Sequence, residues 1–250
     1  MSIRLLNTSS SDIDISQTDF EVINFPTIEV MENNNAPLVQ ILVAQLAKAD
    51  WIIFPSKNAV RIFLEILAEQ NYDRAKLKPI KIASMGSSTS ALIEEQSLEV
   101  SFVPSEFVAE KFVHEFSQIE TLLGRKIILL RSQIGRDLIA AELTKLGAEV
   151  FDAPIYNTLI PQYEQSEIAK MQTLLKAQQI DFILFTSPST AENFFALIGK
   201  EFFSQHQGHI KLAAIGPVTK AAIESVGFPC AIMPDKHTIA GLLEEIKLSK

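Results

Sequence analysis

Apolar positions along the chain follow two periods. Short apolar runs at Trp51–Phe54, Ile80–Ala83, Lys126–Leu130, Phe182–Phe185 and Ile210–Ile215 are bounded by Pro, Gly, Ser or Asn. Runs of this length between turn residues read as buried strands. Longer amphipathic stretches lie between them and read as helices: Pro37–Lys48, Asn58–Glu69, Thr89–Gln96, Val108–Phe116, Asp137–Leu146, Glu164–Ala177, Ala191–Ile198, Thr219–Val226 and Ile239–Lys247. Val108, Phe112 and Phe116, for example, recur at a spacing of four and so share one helix face. Strands alternating with helices predict an α/β protein with parallel sheets covered by helices and right-handed crossovers.

The same pattern occurs twice. Asp50–Ser56 (DWIIFPS) aligns with Asp181–Ser187 (DFILFTS) at an offset of 131 residues. Ile80–Thr89 (IKIASMGSST) aligns with Ile210–Thr219 (IKLAAIGPVT) at an offset of 130, and this register persists through Ala91/Ala221, Ile93/Ile223, Glu94/Glu224 and Pro104/Pro234. Glu21, Val22 and Pro26 pair with Glu149, Val150 and Pro154 at an offset of 128. The chain thus holds two copies of one α/β design.

Composition narrows the function. Apolar residues make up 47% and charged residues 21%, a balance that fits a globular protein and excludes low complexity. The 22 basic against 30 acidic residues give a net charge of −8, which argues against a nucleic-acid partner. The single cysteine, Cys230, excludes an intrachain disulfide and a cysteine-based metal cluster, and it reads as a buried core thiol. Met1–Ser10 has no long apolar stretch, and nowhere is there an uncharged apolar run of about 18 residues. A cytoplasmic protein without membrane contact is expected.

The repeated turns carry the candidate chemistry. Each copy has a strand ending at Ser56 or Ser187, and a second strand ending in Gly-x-x-Thr: Gly86 to Thr89, and Gly216 to Thr219. Glycine permits a tight turn or close approach to a ligand. Ser and Thr there can cap the following helix, which fits Thr89 and Thr219 at least as well as ligand contact. Ser189 and Glu192 have the spacing of a capping box. Beyond the carboxyl ends of parallel strands, helix N-termini favour anions. Two such copies facing each other would form a cleft of hydroxyls and amides suited to a ligand with many carboxylates. Arg131 and Arg136, in a segment after a strand, fit either bidentate carboxylate holders or a solvated loop. Lys57 and Arg61 flank the Ser56 turn. Tyr156 fits packing, or a phenol that donates a proton. The sequence contains no P-loop, no Gly-x-Gly-x-x-Gly and no Gly-x-Ser-x-Gly, and His206 and His209 lack spaced metal-ligand partners.

These residues together resemble the uroporphyrinogen-III synthase family. The resemblance rests on the paired Ser56 and Ser187 turns, the paired Gly-x-x-Thr turns, the segment ending at Arg131, the Pro154–Thr158 segment, Ser56–Val60 (SKNAV) and Ala214–Thr219 (AIGPVT). It covers nearly the whole chain. It implies two similar α/β domains joined by a two-stranded linker: residues 1–27 with 160–250 as a discontinuous domain, 32–153 as an inserted one, and linkers near 25–31 and 153–161. It implies a monomeric lyase that cyclises hydroxymethylbilane, a linear tetrapyrrole with eight carboxylates. Water is lost and ring D is inverted through a spiro intermediate. No cofactor or metal is implied. Transient contact with the preceding pathway enzyme is compatible with that role.

By the same resemblance, Tyr156 assists hydroxide departure. Ser56, Asn58, Gly86, Thr89, Arg131, Ser187, Lys211, Gly216 and Thr219 bind substrate. Two departures from the family pattern are visible: Asn7–Ser11 lacks an arginine, and Pro55 replaces a small hydroxyl residue before Ser56. A non-catalytic two-domain binder of anionic small molecules, or a scaffold beside a neighbouring enzyme, would share the cleft. A binder would leave the isomer fate of a bilane unchanged.

Overall fold

The computed structural model describes residues 2–13, 20–33, 35–134 and 137–249. The chain divides into two compact units, Met1–Glu29 with Leu159–Lys250, and Val30–Thr158. We call them the outer and the inner unit, by their place in the sequence.

The inner unit contains β3 (Glu29–Glu32), α1 (Ala36–Leu46), β4 (Trp51–Phe54), α2 (Lys57–Glu69), β5 (Lys81–Ser84), α3 (Ser87–Glu95), α4 (Ala109–Ile119), β6 (Lys126–Ser132), α5 (Leu138–Lys145) and β7 (Glu149–Leu159). Its sheet has the order β3-β7-β6-β4-β5, and the pairings of β4 with β5 and β6, and of β6 with β7, are parallel. The outer unit contains β1 (Ile3–Asn7), β2 (Phe20–Asn24), α6 (Gln165–Lys176), β8 (Phe182–Phe185), α7 (Pro188–Ile198), α8 (Lys200–His206), β9 (Lys211–Ala214), α9 (Pro217–Ser225), β10 (Cys230–Ile232) and α10 (Ile239–Leu248). Its sheet is β10-β9-β8-β1-β2, all parallel.

The period of two along each strand decides which face a side chain enters. In the inner unit Ile52, Phe54, Ile82, Ile128 and Leu130 pack on one face beneath α1, α2 and α3. Trp51, Ile53, Ala83, Ile127 and Leu129 pack on the other beneath α4 and α5. In the outer unit Leu6, Ile183, Phe185, Leu212 and Ala214 meet α6 to α9, while Leu5, Leu184 and Ala213 meet α10. Both faces are covered, so the strands read as continuous apolar runs.

The repeat is visible bond by bond. Asp50 accepts at Oδ2 from Lys126 N at 2.8 Å, and Asp181 accepts at Oδ2 from Arg4 N at 2.8 Å. Lys81 N donates to Asp50 O at 3.0 Å, and Lys211 N to Asp181 O at 2.9 Å. Met85 N donates to Phe54 O at 3.2 Å, and Ile215 N to Phe185 O at 3.0 Å. Ala83 bridges Phe102 as Ala213 pairs with Ile232. The copies differ in chain order. The strands beside β4 and β8 are β6, made late in the inner unit, and β1, at the start of the chain. The two units are circular permutations of one sheet.

Two expectations need correction. Cys230 is half-buried on edge strand β10 rather than in the core; burial still raises its thiol pKa, and Sγ contacts Ile232 O at 3.2 Å. The helix starting after β8 is capped by Ser187, not Ser189. Ser187 Oγ accepts from Thr190 N at 3.2 Å while Thr190 Oγ1 accepts from Ser187 N at 3.2 Å, so the box closes on Thr190 rather than Glu192. Among the described residues no helix is long and apolar enough to cross a membrane.

Candidate functional site

In an open parallel sheet a ligand sits beyond the carboxyl ends, where the strand order reverses. In the inner unit that point lies between β4 and β6, and in the outer unit between β8 and β1. Ser56 leaves β4 and Ser187 leaves β8, each as the N-cap of the next helix in extended conformation. Ser56 Oγ accepts from Ala59 N at 3.2 Å. Such a cap contributes about 1 kcal/mol to its helix. Pro188 at the first position of α7 has no N–H to satisfy, so the amide at Ser189 is the one left open. Asn58, half-buried at the second position of α2, makes no side-chain hydrogen bond among the described residues.

One strand further along, Gly86 and Gly216 are the N-caps of α3 and α9, with no side-chain cap. Their φ values, −178° and −168°, are extended and open to any residue. A Cβ at Gly86 would meet the Phe107 ring at 3.7 Å, an ordinary contact. The missing side chain is therefore not demanded by the turn. It leaves the first helical amides uncovered.

Thr89 and Thr219 are not caps, which corrects that alternative: each sits at the third helical position, after a glycine cap. Both are buried, at 4% and 3% exposure. Neither hydroxyl makes a hydrogen bond among the described residues, yet no side-chain polar atom shut off from solvent lacks a partner. The small exposed part of each threonine therefore includes its hydroxyl. Each unit thus presents an unpaired hydroxyl beside unpaired helix amides, a set of donors suited to an anion.

Tyr156 joins the inner set. It lies on β7 opposite Ser132, is 5% exposed, and its phenol shares a 2.8 Å hydrogen bond with Ser56 Oγ. Burial raises the phenol pKa, and the Ser56 bond draws it partly back. The group is a neutral phenol near pH 7.

Two other expected residues are engaged elsewhere. Arg131 grips Asp152 with two bonds, Nε to Oδ1 at 2.6 Å and Nη2 to Oδ2 at 2.7 Å, and also pairs with Asp137 at 2.5 Å. These carboxylates hold the guanidinium that an incoming anion would need. Lys211 opens β9 at its amino end, roughly 10 Å of strand from the carboxyl end. Its ammonium donates to Ser249 O at 3.2 Å and lies over the Phe182 ring. The structure does not bring it to the turns. Arg136 lies outside the described residues. Arg61 pairs with Glu65 along α2.

One residue beside these turns is not marked by its type alone. His237 packs over Gly216 as Phe107 packs over Gly86, with ring atoms from 3.4 Å of where a Cβ would stand. Extending the 130-residue register three positions past Pro104/Pro234 finds the pair.

Comparison with known proteins gives consistent results. A family model described as Uroporphyrinogen-III synthase HemD matches residues 13–244. The uroporphyrinogen-III synthase of Chlorobaculum parvum is 27% identical over 223 residues, covering 89% of this chain and 86% of the relative. That of Synechococcus elongatus is 27% identical over 230 residues, covering 90% and 85%. A mutant uroporphyrinogen III synthase from Thermus thermophilus superposes with a TM-score of 0.64 at 17% identity, over 99% of this chain and 98% of its own. The uroporphyrinogen-III synthetase of Helicobacter pylori gives 0.62 at 17% identity, over 100% and 99%. The two structural likenesses bear on the fold alone.

Proposed function

Because the chain belongs to the uroporphyrinogen-III synthase family, we propose that it cyclises hydroxymethylbilane, with the turns after β4, β5, β8 and β9 receiving the substrate's carboxylates. It is a lyase of tetrapyrrole and haem biosynthesis acting on a small molecule. The observation that carries the binding reading is the pair Thr89 and Thr219, buried at equivalent repeat positions with hydroxyls that no protein group uses. Each hydroxyl keeps its access from solvent, so a ligand oxygen can take the place of water there without breaking a bond within the protein. Ser56, Asn58, Gly86, Ser187 and Gly216 frame the same turns and complete our assignment of substrate contacts.

The chemistry divides between the substrate and the protein. The bilane loses its terminal hydroxyl, and the resulting electrophilic methylene carbon is attacked by the substituted carbon of ring D. A spiro intermediate forms, a carbon–carbon bond breaks, and closure follows with ring D inverted. We assign to Tyr156 the proton that leaves with the hydroxyl as water. The pyrrole carbon that closes the macrocycle releases a proton as it regains aromaticity, and this restores the phenol. A phenol whose anion is disfavoured by burial recovers that proton readily. The protein's larger task is holding a flexible chain so that the inverting carbon meets its partner before direct closure occurs. The one cysteine fits action in the reducing cytoplasm.

The test is an isomer assay. Hydroxymethylbilane is generated in situ, the protein is added, and the oxidised products are separated by chromatography. Mainly type III product is expected. Only type I product, at the spontaneous rate, would overturn the reading and leave a binder of anionic small molecules.

A further inference from the structure

The two copies of the repeat differ where their Gly-x-x-Thr turns are roofed. In the inner unit the roof is Phe107, a hydrocarbon ring 52% exposed to solvent, with Cγ, Cδ2 and Cδ1 between 3.7 and 4.0 Å from a Cβ built on Gly86. In the outer unit the equivalent residue is His237, with Cγ, Nδ1 and Cδ2 between 3.4 and 3.7 Å from a Cβ built on Gly216. The packing is conserved between the copies and the chemistry is not.

His237 differs from the other histidines. His114 bonds Gln118 at 3.1 Å, His206 bonds Phe202 O at 2.8 Å, and His209 bonds Asp181 at 3.2 Å. Among the described residues, His237 makes no hydrogen bond through either ring nitrogen. Gly216, which the ring covers, is the N-cap of α9, whose first three positions are Pro217 without an N–H, Val218 with its amide and Thr219 with its unpaired hydroxyl.

His237 is exposed, and the backbone on either side of it is tied down. Thr238 caps α10 by accepting from Gly241 N at 3.0 Å, and its own amide donates to Lys236 O at 2.7 Å. Gly241 is required there, because a Cβ would stand 2.4 Å from Lys236 O. The residues before and after His237 are therefore anchored. The backbone that carries the imidazole thus needs little further ordering to meet a ligand. Lys236 adds a second exposed donor to this segment, and Asp235 is its one acid.

We infer that His237 is a specificity-determining residue that donates a hydrogen bond to a substrate carboxylate seated at the Gly216–Thr219 turn, whereas Phe107 offers the matching turn only apolar cover. This rests on the reading of these turns as carboxylate sites. It makes the two copies unequal: a carboxylate gains a donor at one turn and not at the other. A substrate whose rings differ in the placement of acetate and propionate arms can be held in one orientation by such a difference.

The test uses uroporphyrin III, the oxidised eight-carboxylate product, titrated into the full chain and followed by porphyrin fluorescence. The variants are His237→Phe, which copies the inner unit, and His237→Gln, which keeps a donor of similar reach. His237→Phe is expected to weaken binding about tenfold, as for the loss of one hydrogen bond to a charged acceptor. His237→Gln is expected to recover most of it. In turnover, His237→Phe should raise KM by a similar factor and change kcat by less than about twofold. Equal affinity of wild type and His237→Phe would overturn the inference. Failure of the enzymatic reading shows separately, as type I product from the wild type. Weaker binding by His237→Phe would then still support His237 as an anion contact.

Discussion

The phenol of Tyr156 and the hydroxyl of Ser56 meet at 2.8 Å across the end of β6, although 100 residues separate them in the chain. The serine oxygen also accepts from Ala59 N, so one atom serves both a helix cap and the phenol. This bond ties the tyrosine to the turn we assign to substrate. Tyr156→Phe is expected to slow turnover at least several-fold while leaving uroporphyrin binding within about twofold, since the phenol supplies a proton rather than a carboxylate contact. Burial raises the phenol's pKa, so the protonated form persists to higher pH than an ordinary tyrosine near 10. The Tyr156-dependent part of kcat should be flat through about pH 9 and fall only above the ordinary value. A profile rising with pH between 6 and 8 that disappears in Tyr156→Phe would refute the acid role.

Thr89→Val and Thr219→Val each replace a hydroxyl by a methyl while keeping the β-branched shape. Because neither hydroxyl has a partner among the described residues, folding should hardly notice the change, with stability within about 0.5 kcal/mol of wild type. KM should rise several-fold. Thermal unfolding and steady-state kinetics on the same preparations check both halves. A large loss of stability with normal KM would make these hydroxyls structural.

Glu120 is a third marker, at the opposite end of the inner sheet. Its carboxylate, 8% exposed, accepts from Trp51 Nε1 at 3.0 Å and Lys81 Nζ at 2.9 Å and pairs with Arg125 at 2.9 Å. Burial alone would raise its pKa, but the bonds from Lys81 and Trp51 outweigh it and hold the group below the usual value. A depressed carboxylate contributes stability above its unfolded pKa of about 4.3, and that stability is lost as pH falls through the folded value. Denaturant midpoints for wild type and Glu120→Gln should therefore differ at pH 7 and converge under acid conditions. A constant difference down to pH 2 would exclude the ion pairs as its source.

Tyr163 gives the alkaline counterpart. Its ring stacks on Phe25 at 4.5 Å, its hydroxyl donates to Pro26 O at 2.8 Å, and burial, with Glu167 nearby, pushes its pKa up to about 12. A raised group stabilises fully below the unfolded value near 10 and loses that contribution as pH climbs toward the folded value. Wild type should be more stable than Tyr163→Phe at pH 9, with the gap closing between pH 10 and about 12. Parallel urea unfolding series would show whether it closes.

Much of this molecule can be read from its residues, and the parts that cannot have physical reasons. Trp51–Phe54 and Phe182–Phe185 are strands with the expected bounds, because four consecutive apolar residues between turn formers leave few alternatives. The repeat places equivalent turns correctly because both copies obey one packing pattern. Strand β7 is harder. It runs from Glu149 to Leu159 and carries Asp152, Pro154 and Asn157, so part of it reads as a linker. Asp152 is there for Arg131, and Pro154 stands where the register with β6 begins to shift. Helix α8 is hidden because its seven residues, KEFFSQH, bury only Phe203 and start directly after Gly199 at φ 90°, too short a segment to show a helical period. The commitment of Arg131 to two aspartates and the reach of Tyr156 to Ser56 are tertiary facts. No local spacing encodes them.

The permuted chain order has a consequence for biogenesis. The inner unit is one continuous stretch, Val30–Thr158, and all its strands have been synthesised once β7 is made. The outer unit cannot close so early: β1 sits between β2 and β8, and the bond from Arg4 N to Asp181 spans 177 residues. On the ribosome, β1 must wait with one edge unpaired while the whole inner unit is translated. Closing so long a loop is slow, and an exposed edge invites wrong partners. The pairing of β1 with β8, which closes the outer sheet, is therefore expected to form only after the inner unit is complete.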